Sequence, residues 1–497
     1  MSRSANLQNS LGDARHIPEA YRVESIILEN HYGETYNLTS LQTDFSITES
    51  IYHVGLILSI NIKDSVNFFE IGQLTGQETI TVNLIQGVEP EPDAEPANTQ
   101  PIDVASKERS KPKTMSRMFF VTEYPLYGKM ENRIEVYTIK GVSQHIYLSK
   151  LKRISKAFSG TMANFIKETL TKDLKVKESD IVQSKQSSPL VSFIVPNLNP
   201  IDAIQWVLRR CYDSHGSPWY CYETLDGKIH IESHMDINAK AKEKNVKEYS
   251  DGQFFQDTVG SAKDFQQRKS RILNLASNIG ISKYLSSING AYASKSVYVN
   301  ISSKKIETLG FDYRVQFPKM AKIGANSLLS DSFTPETREA VYKKGEAISG
   351  FDSKIINEQE KILETGIGAA LSDFSDANIN YIPLNGKSLG SNNNYHSATR
   401  NKFINIANSV NENMQFISHD FTIAGDLDFH SGKIVVLLLR STFKPPTNEL
   451  SKMDENKNQK MFSGYYLITS VVHKFEKQYY CDVRANTDAY SMDALFT

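Results

Sequence analysis

Cysteine is scarce: only Cys211, Cys221 and Cys481 occur in 497 residues. An odd number without metal-ligand spacing excludes a disulfide framework and fits a chain matured in a reducing cytoplasm. Net charge is equally lacking, with 56 Lys plus Arg against 57 Asp plus Glu. That balance excludes broad attraction to nucleic acid or to an anionic membrane. Long apolar runs are missing too. The longest aliphatic stretch, Ile434 to Leu439, is far too short for a spanning helix, and the polar opening MSRSANLQNSLGDARH lacks the apolar segment of a secretory leader.

Catalytic signatures are missing as well. No cysteine stands in a recognisable nucleophile setting. Gly366-Ile367-Gly368 has neither a third glycine nor a following ribose-binding acid, so it does not make a dinucleotide site. Asn385-Gly386-Lys387-Ser388 imitates the end of a phosphate loop, but Tyr381 stands where the first glycine belongs, and the stretch reads as an Asn-rich loop. His230 and His234 are four apart. On a strand that separates the rings by about 13 Å, beyond one metal ion, and exposed histidines on a polar strand face account for them. His473 closes a strand and reads as structural rather than as a general base. The sequence therefore predicts no catalytic, cofactor-binding or metal residues.

What is present is an ordinary core composition, 40% hydrophobic with 23% charged residues, in a length that suggests two to four domains. Near the end, SGYYLITSVVHKFEKQYYCDVRANTDAY reads as two β-strands joined by a polar turn. The first third carries a similar hairpin, MFFVTEYPLYGKMENRIEVYTIKG. Setting Thr122 on Thr469 places Phe120 on Leu467, Ile134 on Cys481, Glu135 on Asp482 and Val136 on Val483 without a gap. Each hairpin is reached by a strand, Glu78 to Ile85 or Lys433 to Arg440, and then a long polar Pro-containing excursion. The chain thus reads as one β-module present twice.

Residues 1–20 read as a polar arm. Arg22 to Glu29, Tyr36 to Leu38 and the alternating segment Thr43 to Lys63 predict strands with one buried face. Gln86 to Arg117, acidic and Pro-rich and then basic from Lys107 to Lys113, predicts a solvated loop. Met162, Phe165, Ile166 and Leu170 mark one helical face, and Asn199-Pro200 opens a second helix with Asp202 in its first turn. Asp226-Gly227 predicts a type I′ hairpin turn. Further expectations are a strand at Ser296 to Asn300, helices from Thr334 to Glu364 and a helix over Asn401 to Val410.

The C-terminal GYYLITSVVHKFEKQYYCDVRANTDA, the early VESIILENHYGETYNLTSLQTDFSITESIYHVGLILSINI and the Pro-Ile-Asp-Ala-Ile helix with its hairpin resemble the central baseplate hub proteins of contractile-tailed, T-even-type bacteriophages. More distantly they resemble the N-terminal part of type VI secretion spike proteins. The resemblance covers roughly 300 of the 497 residues and leaves 315–410 unmatched. It implies an α+β, mainly β fold. Two similar tube-type β-barrel domains, 21–148 (with its loop 86–117) and 415–497, would flank an α+β domain, 149–248, and a strand segment with a partly helical insertion, 249–414.

It also implies a homotrimeric, pseudo-sixfold, non-enzymatic ring in the virion tail, assembled in the host cytoplasm, with a channel for DNA. Implied partners are the central spike, tail tube or tube-initiator proteins, baseplate wedges and a tape-measure protein; no membrane or sequence-specific nucleic-acid contact is implied. Two other classes fit the composition: a tail-associated cell-wall or glycan hydrolase, recognisable by paired carboxylates in a cleft, and a carbohydrate-binding β-protein.

Overall fold

The computed structural model describes residues 20–86, 113–130, 134–184, 188, 190–213, 216–241, 252–256, 269–279, 283–300, 304–312, 323, 347–349, 378–384, 398–439 and 462–491. The N-terminal part is built from β1 (Tyr21–Glu29), β2 (Thr35–Asn37), β3 (Gln42–Ser50), β4 (Ile57–Asp64), β5 (Thr79–Gln86), β6 (Lys113–Met130) and β7 (Ile134–Ser143), with a short helix α1 (Phe68–Ile71) before β5. Apolar side chains at every second position drive it: Phe45 and Ile47 of β3, Leu58, Ile60 and Ile62 of β4, and Ile80, Val82 and Leu84 of β5 are all buried.

Helix α2 (Gln144–Lys150) leads into an α+β part: β8 (Ala157–Thr161), α3 (Met162–Glu168), β9 (Ile181–Gln183), β10 (Leu190–Ile194), α4 (Pro200–Leu208), β11 (Trp219–Glu223), β12 (Ile229–Ser233) and α5 (His234–Ala241). The predicted cap of α4 forms, because the Asn199 side chain accepts the Asp202 N–H at 2.9 Å and Pro200 needs no donor partner there. The β11–β12 turn departs from type I′. Gly227 alone has positive φ, the Gly227 N–H reaches the Thr224 carbonyl at 2.9 Å, and Thr224 N–H bonds Lys228 O, which makes a type I turn followed by a left-handed glycine.

The remaining strands and helices are β13 (Gln253–Phe255), β14 (Asn274–Ile279), α6 (Lys283–Ile288), β15 (Ala293–Asn300), β16 (Lys305–Asp312), β17 (Ala347–Ser349), β18 (Ile379–Leu384), α7 (Ala398–Asn413), β19 (Ile417–Ala424), β20 (Ile434–Leu438), β21 (Gly464–Phe475), β22 (Tyr479–Thr487) and β23 (Ala489–Ser491). Two expectations need correction. Ala347–Ser349, inside the range expected to be helical, pairs as a strand with Ala489–Ser491, and the rest of 334–364 is outside the described residues. The excursion also ends earlier than read: Lys113 already faces Gln86, so 113–117 belong to β6 and only 87–112 lie outside the described residues.

Strand order repeats. The N-terminal part runs β3-β4-β7-β6-β5-β1 and the C-terminal part β14-β19-β22-β21-β20-β13, with its two outer strands drawn from 253–279. All neighbouring pairs are antiparallel in both, except that β13 lies parallel to β20 where β1 is antiparallel to β5. Thr122 and Thr469 each occupy a bulge between matching pairs, Val121↔Gly141 and Glu123↔Lys140 against Ile468↔Ala485 and Ser470↔Arg484. Each hydroxyl donates across the bulge, Thr122 to Lys140 O at 3.3 Å and Thr469 to Arg484 O at 3.2 Å.

The gapless alignment beyond these threonines is displaced. Twenty positions separate Val121 from Gly141 and seventeen separate Ile468 from Ala485, so Tyr137, Thr138 and Ile139, not Ile134 to Val136, correspond to Cys481, Asp482 and Val483. A second bulge between Glu123 and Leu126 accounts for part of the difference.

The two parts are one sheet. The C-terminal half of β21 pairs with β3, from Ser470↔Ser50 to Phe475↔Phe45, and Phe45 stacks on Phe475 at 4.5 Å. One apolar cluster runs from Ile26 through Tyr137 to Ala485, while a second fills the α+β part around Phe165, Ile204 and Trp219. A third joins them: Tyr220 and Tyr222 on one face of β11 pack against Ile434, Val436 and Leu467. Among the described residues the pairing path is open, ending at β14 and β2.

Candidate functional site

The alternation of β3 that buries Phe45 and Ile47 carries Glu49 to the same inward face, fully enclosed. Its carboxylate is held by the loops it joins: Oε2 accepts the Leu225 N–H at 2.9 Å, and Oε1 accepts the Ser431 N–H at 2.6 Å. His430 Nδ1 and His473 Nε2 each lie 3.7 Å from it. One side chain of the N-terminal part thus ties the β11–β12 turn to the loop between β19 and β20. Burial by itself would raise the Glu49 pKa, but His430 and His473 outweigh it and hold it at about 2. His473 moves the other way, to about 10: burial opposes the charge, and Cys481 and Glu49 more than compensate.

Glu223, at the end of β11, makes the neighbouring joint. Its Oε2 accepts from Ser143 Oγ at 2.5 Å and from the Leu56 N–H at 3.2 Å, and His145 Nε2 is 3.5 Å away. Arg117 of β6 donates to the carbonyls of Leu225 (2.8 Å) and Thr224 (3.2 Å) and covers Gly227, where a Cβ would lie 2.3 Å from the guanidinium. A third joint closes on the ends of the 87–112 segment. Gln86 donates to Gly425 O at 2.7 Å and accepts from Leu427 N–H at 2.9 Å, while Lys113 pairs with Asp426 (2.5 Å) and Asp428 (2.6 Å). The basic end of that segment is anchored within the chain at Lys113.

Cys481, His473 and Glu49 follow the order nucleophile, base, orienting acid, with Cys481 Sγ 3.4 Å from His473 Nδ1. All three are completely enclosed, and the Tyr479 hydroxyl, 2.7 Å from the same Nδ1, occupies the base more closely than the sulfur does. The three side chains meet where β3 pairs with β21.

The other histidines differ from expectation. His230 is only partly exposed, stacks on Tyr222 at 5.1 Å and lies 3.2 Å from Glu232. His234 is not on the strand, which ends at Ser233; it opens α5 and is fully buried, with its pKa pushed down to about 4 by burial. They are enclosed because both faces of the β11–β12 hairpin are covered, one by the α+β core and one by β20 and β21. Among the described residues no group of three His, Cys, Asp or Glu is placed to hold a metal. Residues 366–368 and 385–388 lie outside the described residues.

Sequence reading missed Glu49, Glu223, Arg117 and Asp426. For Glu49 the signal was visible: an acid continuing the inward series Phe45, Ile47. For the others none was, since their partners lie far away in the chain.

No family model matches the sequence, and no curated protein matches it. Among solved structures, a tail protein from Neisseria meningitidis is 7% identical, with 94% of this chain aligned to 97% of that one at a TM-score of 0.45. A 43 kDa tail protein of prophage MuSo2 from Shewanella oneidensis is 8% identical, covering 93% and 97%, at a TM-score of 0.41. The E. coli c3393 protein, a type VI secretion component with structural similarity to T4 bacteriophage tail proteins, is 8% identical, covering 95% and 77%, at a TM-score of 0.37. The structural neighbours are thus phage tail and type VI secretion proteins, the two groups that the sequence resembles; likeness of this degree assigns no activity.

Proposed function

We propose that this chain is a structural baseplate hub subunit of a contractile phage tail, three copies of which form a pseudo-sixfold ring between a hexameric tail tube and a trimeric central spike. The observation that carries the reading is the strand order that occurs twice in one chain, each time with a bulge threonine at the same register. Two like units per chain give a threefold assembly six like surfaces around one axis. The fusion of the units through β3 and β21, and the polar joints beneath them, support it by fixing their relative placement. In this reading each unit contributes to a tube-type barrel, 21–148 and 415–497, the second completed by β13 and β14 from 253–279, with 149–248 and the rest of 249–414 between and outside them.

The ring leaves a channel for DNA and a tape-measure protein, its two ends meet tube and spike, its rim meets wedge proteins, and its work is mechanical. The test is light scattering of the full chain at micromolar concentration, alone and with the spike protein, followed by electron-microscopic class averages. Three copies in a ring with six-fold outline are expected; a monomer in both conditions, or an averaged particle without three-fold symmetry, would refute the proposal.

A further inference from the structure

The two halves of the repeat differ at one place. In the C-terminal unit, β20 covers only the first half of β21, Gly464 to Leu467, and β3 pairs with the second half on the same side. In the N-terminal unit, β5 covers β6 only from Lys113 to Phe120, and among the described residues nothing pairs on that side with Glu123 to Met130. The exposure matches. Tyr127 is 45% exposed, whereas the corresponding His473 is fully enclosed, and Leu126 is 58% exposed. Pro125 lies within the second bulge, where its missing N–H takes no hydrogen bond from the ladder.

The strand that should fill this place is identifiable from the same map. β3 borders β4 as β14 borders β19, and β14 is an end of the pairing path with a largely exposed outer row. Within one chain β14 lies at the far end of the sheet from β6, so it cannot serve its own β6 as β3 serves β21. A second copy can.

Resting on the ring reading above, we infer that β14 of one copy adds antiparallel to the distal half of β6 of the next, repeating between copies the β3–β21 contact made within each. Transferring the register Val472↔Thr48, His473↔Ile47, Lys474↔Ser46 and Phe475↔Phe45 gives Leu126↔Asn278, Tyr127↔Ser277, Gly128↔Ala276 and Lys129↔Leu275. The contact is head-to-tail, so it closes into a ring or continues as a filament, and it removes two exposed strand edges per copy. Tyr127 becomes covered as His473 is, and Leu126 half-buried as Val472 is.

Gly128→Cys and Ala276→Cys test the register in the full-length chain. Both positions are exposed, a Cβ at Gly128 meets no atom within 4 Å, and the three native cysteines are buried. Co-expressed single variants under mild oxidation are expected to give a one-to-one covalent dimer on a non-reducing gel, with no product from either alone. The double variant is expected to give a ladder that stops at the ring number. Ser46→Cys with Lys474→Cys, facing residues in one chain, is the positive control and links without a change of mass.

No cross-link between the single variants while light scattering shows trimers would overturn this contact and leave the ring reading standing. A product from Gly128→Cys alone would also overturn it, because that requires a symmetric contact. A monomer by light scattering, with no cross-link, would overturn both.

Discussion

Glu49 has no counterpart among the other inward positions of β3, and its neutral replacement separates two effects. Glu49→Ala leaves the Leu225 and Ser431 N–H groups without their acceptor and His473 without its counter-charge, a combination expected to cost about 3–5 kcal/mol in urea unfolding. Glu49→Gln keeps an acceptor and should cost less. The pH dependence has a definite sign. The lowered carboxyl pKa stabilises the fold above pH 4.5 and that gain disappears as pH falls towards 2, while the raised His473 pKa stabilises below 6.5 and its gain disappears as pH rises through about 10. The pair contributes fully between pH 4.5 and 6.5.

His234 acts against that window. Its pKa, depressed from 6.5 to about 4, means that the unfolded chain takes the proton first, so stability is lost as pH falls from 6.5 through 4, by up to about 3 kcal/mol. Its two ring nitrogens have no hydrogen-bond partner among the described residues, so His234→Leu should be neutral or stabilising at pH 7 and should flatten the acid limb of a plot of urea midpoint against pH. An unchanged acid limb would refute the assignment. Gly432 is a backbone counterpart: with φ of +79° and the Tyr222 hydroxyl 2.0 Å from a Cβ placed there, Gly432→Ala should cost more than the about 1–2 kcal/mol of a left-handed alanine alone.

At the scale of elements, local signals were reliable where chemistry is local. The α4 cap is one: Asn199→Ala should cost about 1–2 kcal/mol, measured by denaturant midpoint, and leave oligomerisation unchanged. The inward rows of β3, β4 and β5 were legible for the same reason, since alternation is a property of neighbouring residues. The hairpin register was not. Matching Thr122 to Thr469 identified the bulge, but the extra residues of the first hairpin are absorbed by a second bulge whose existence depends on the partner strand. Likewise Asp226-Gly227 suits two turn types, and Arg117, reaching from β6 to the turn carbonyls, lies against the one observed.

For the whole molecule, the three apolar clusters meet at β11 and β21, so the α+β part and the sheet are expected to unfold together. The two tryptophans, Trp206 and Trp219, both belong to the α+β part, so their fluorescence reports on it while far-ultraviolet circular dichroism follows mainly the strands. Coincident urea transitions are expected; separated midpoints would show that the joints at Glu49 and Glu223 do not couple the parts. Phe475→Ala, which empties the stack between Phe45 and Tyr479, should lower both transitions by about 3–5 kcal/mol.

By itself the sequence determined the class of elements, the inward rows, the α4 cap and the presence of two related hairpins, because each follows from residues close in the chain. Only the tertiary structure decided that β3 completes the sheet of the distant hairpin, that Glu49 and Glu223 lie at the joints, and that β6 and β14 each keep an unpaired side among the described residues. Those outcomes depend on which strand edges meet, and backbone hydrogen bonds between strands carry no mark in the side chains that flank them.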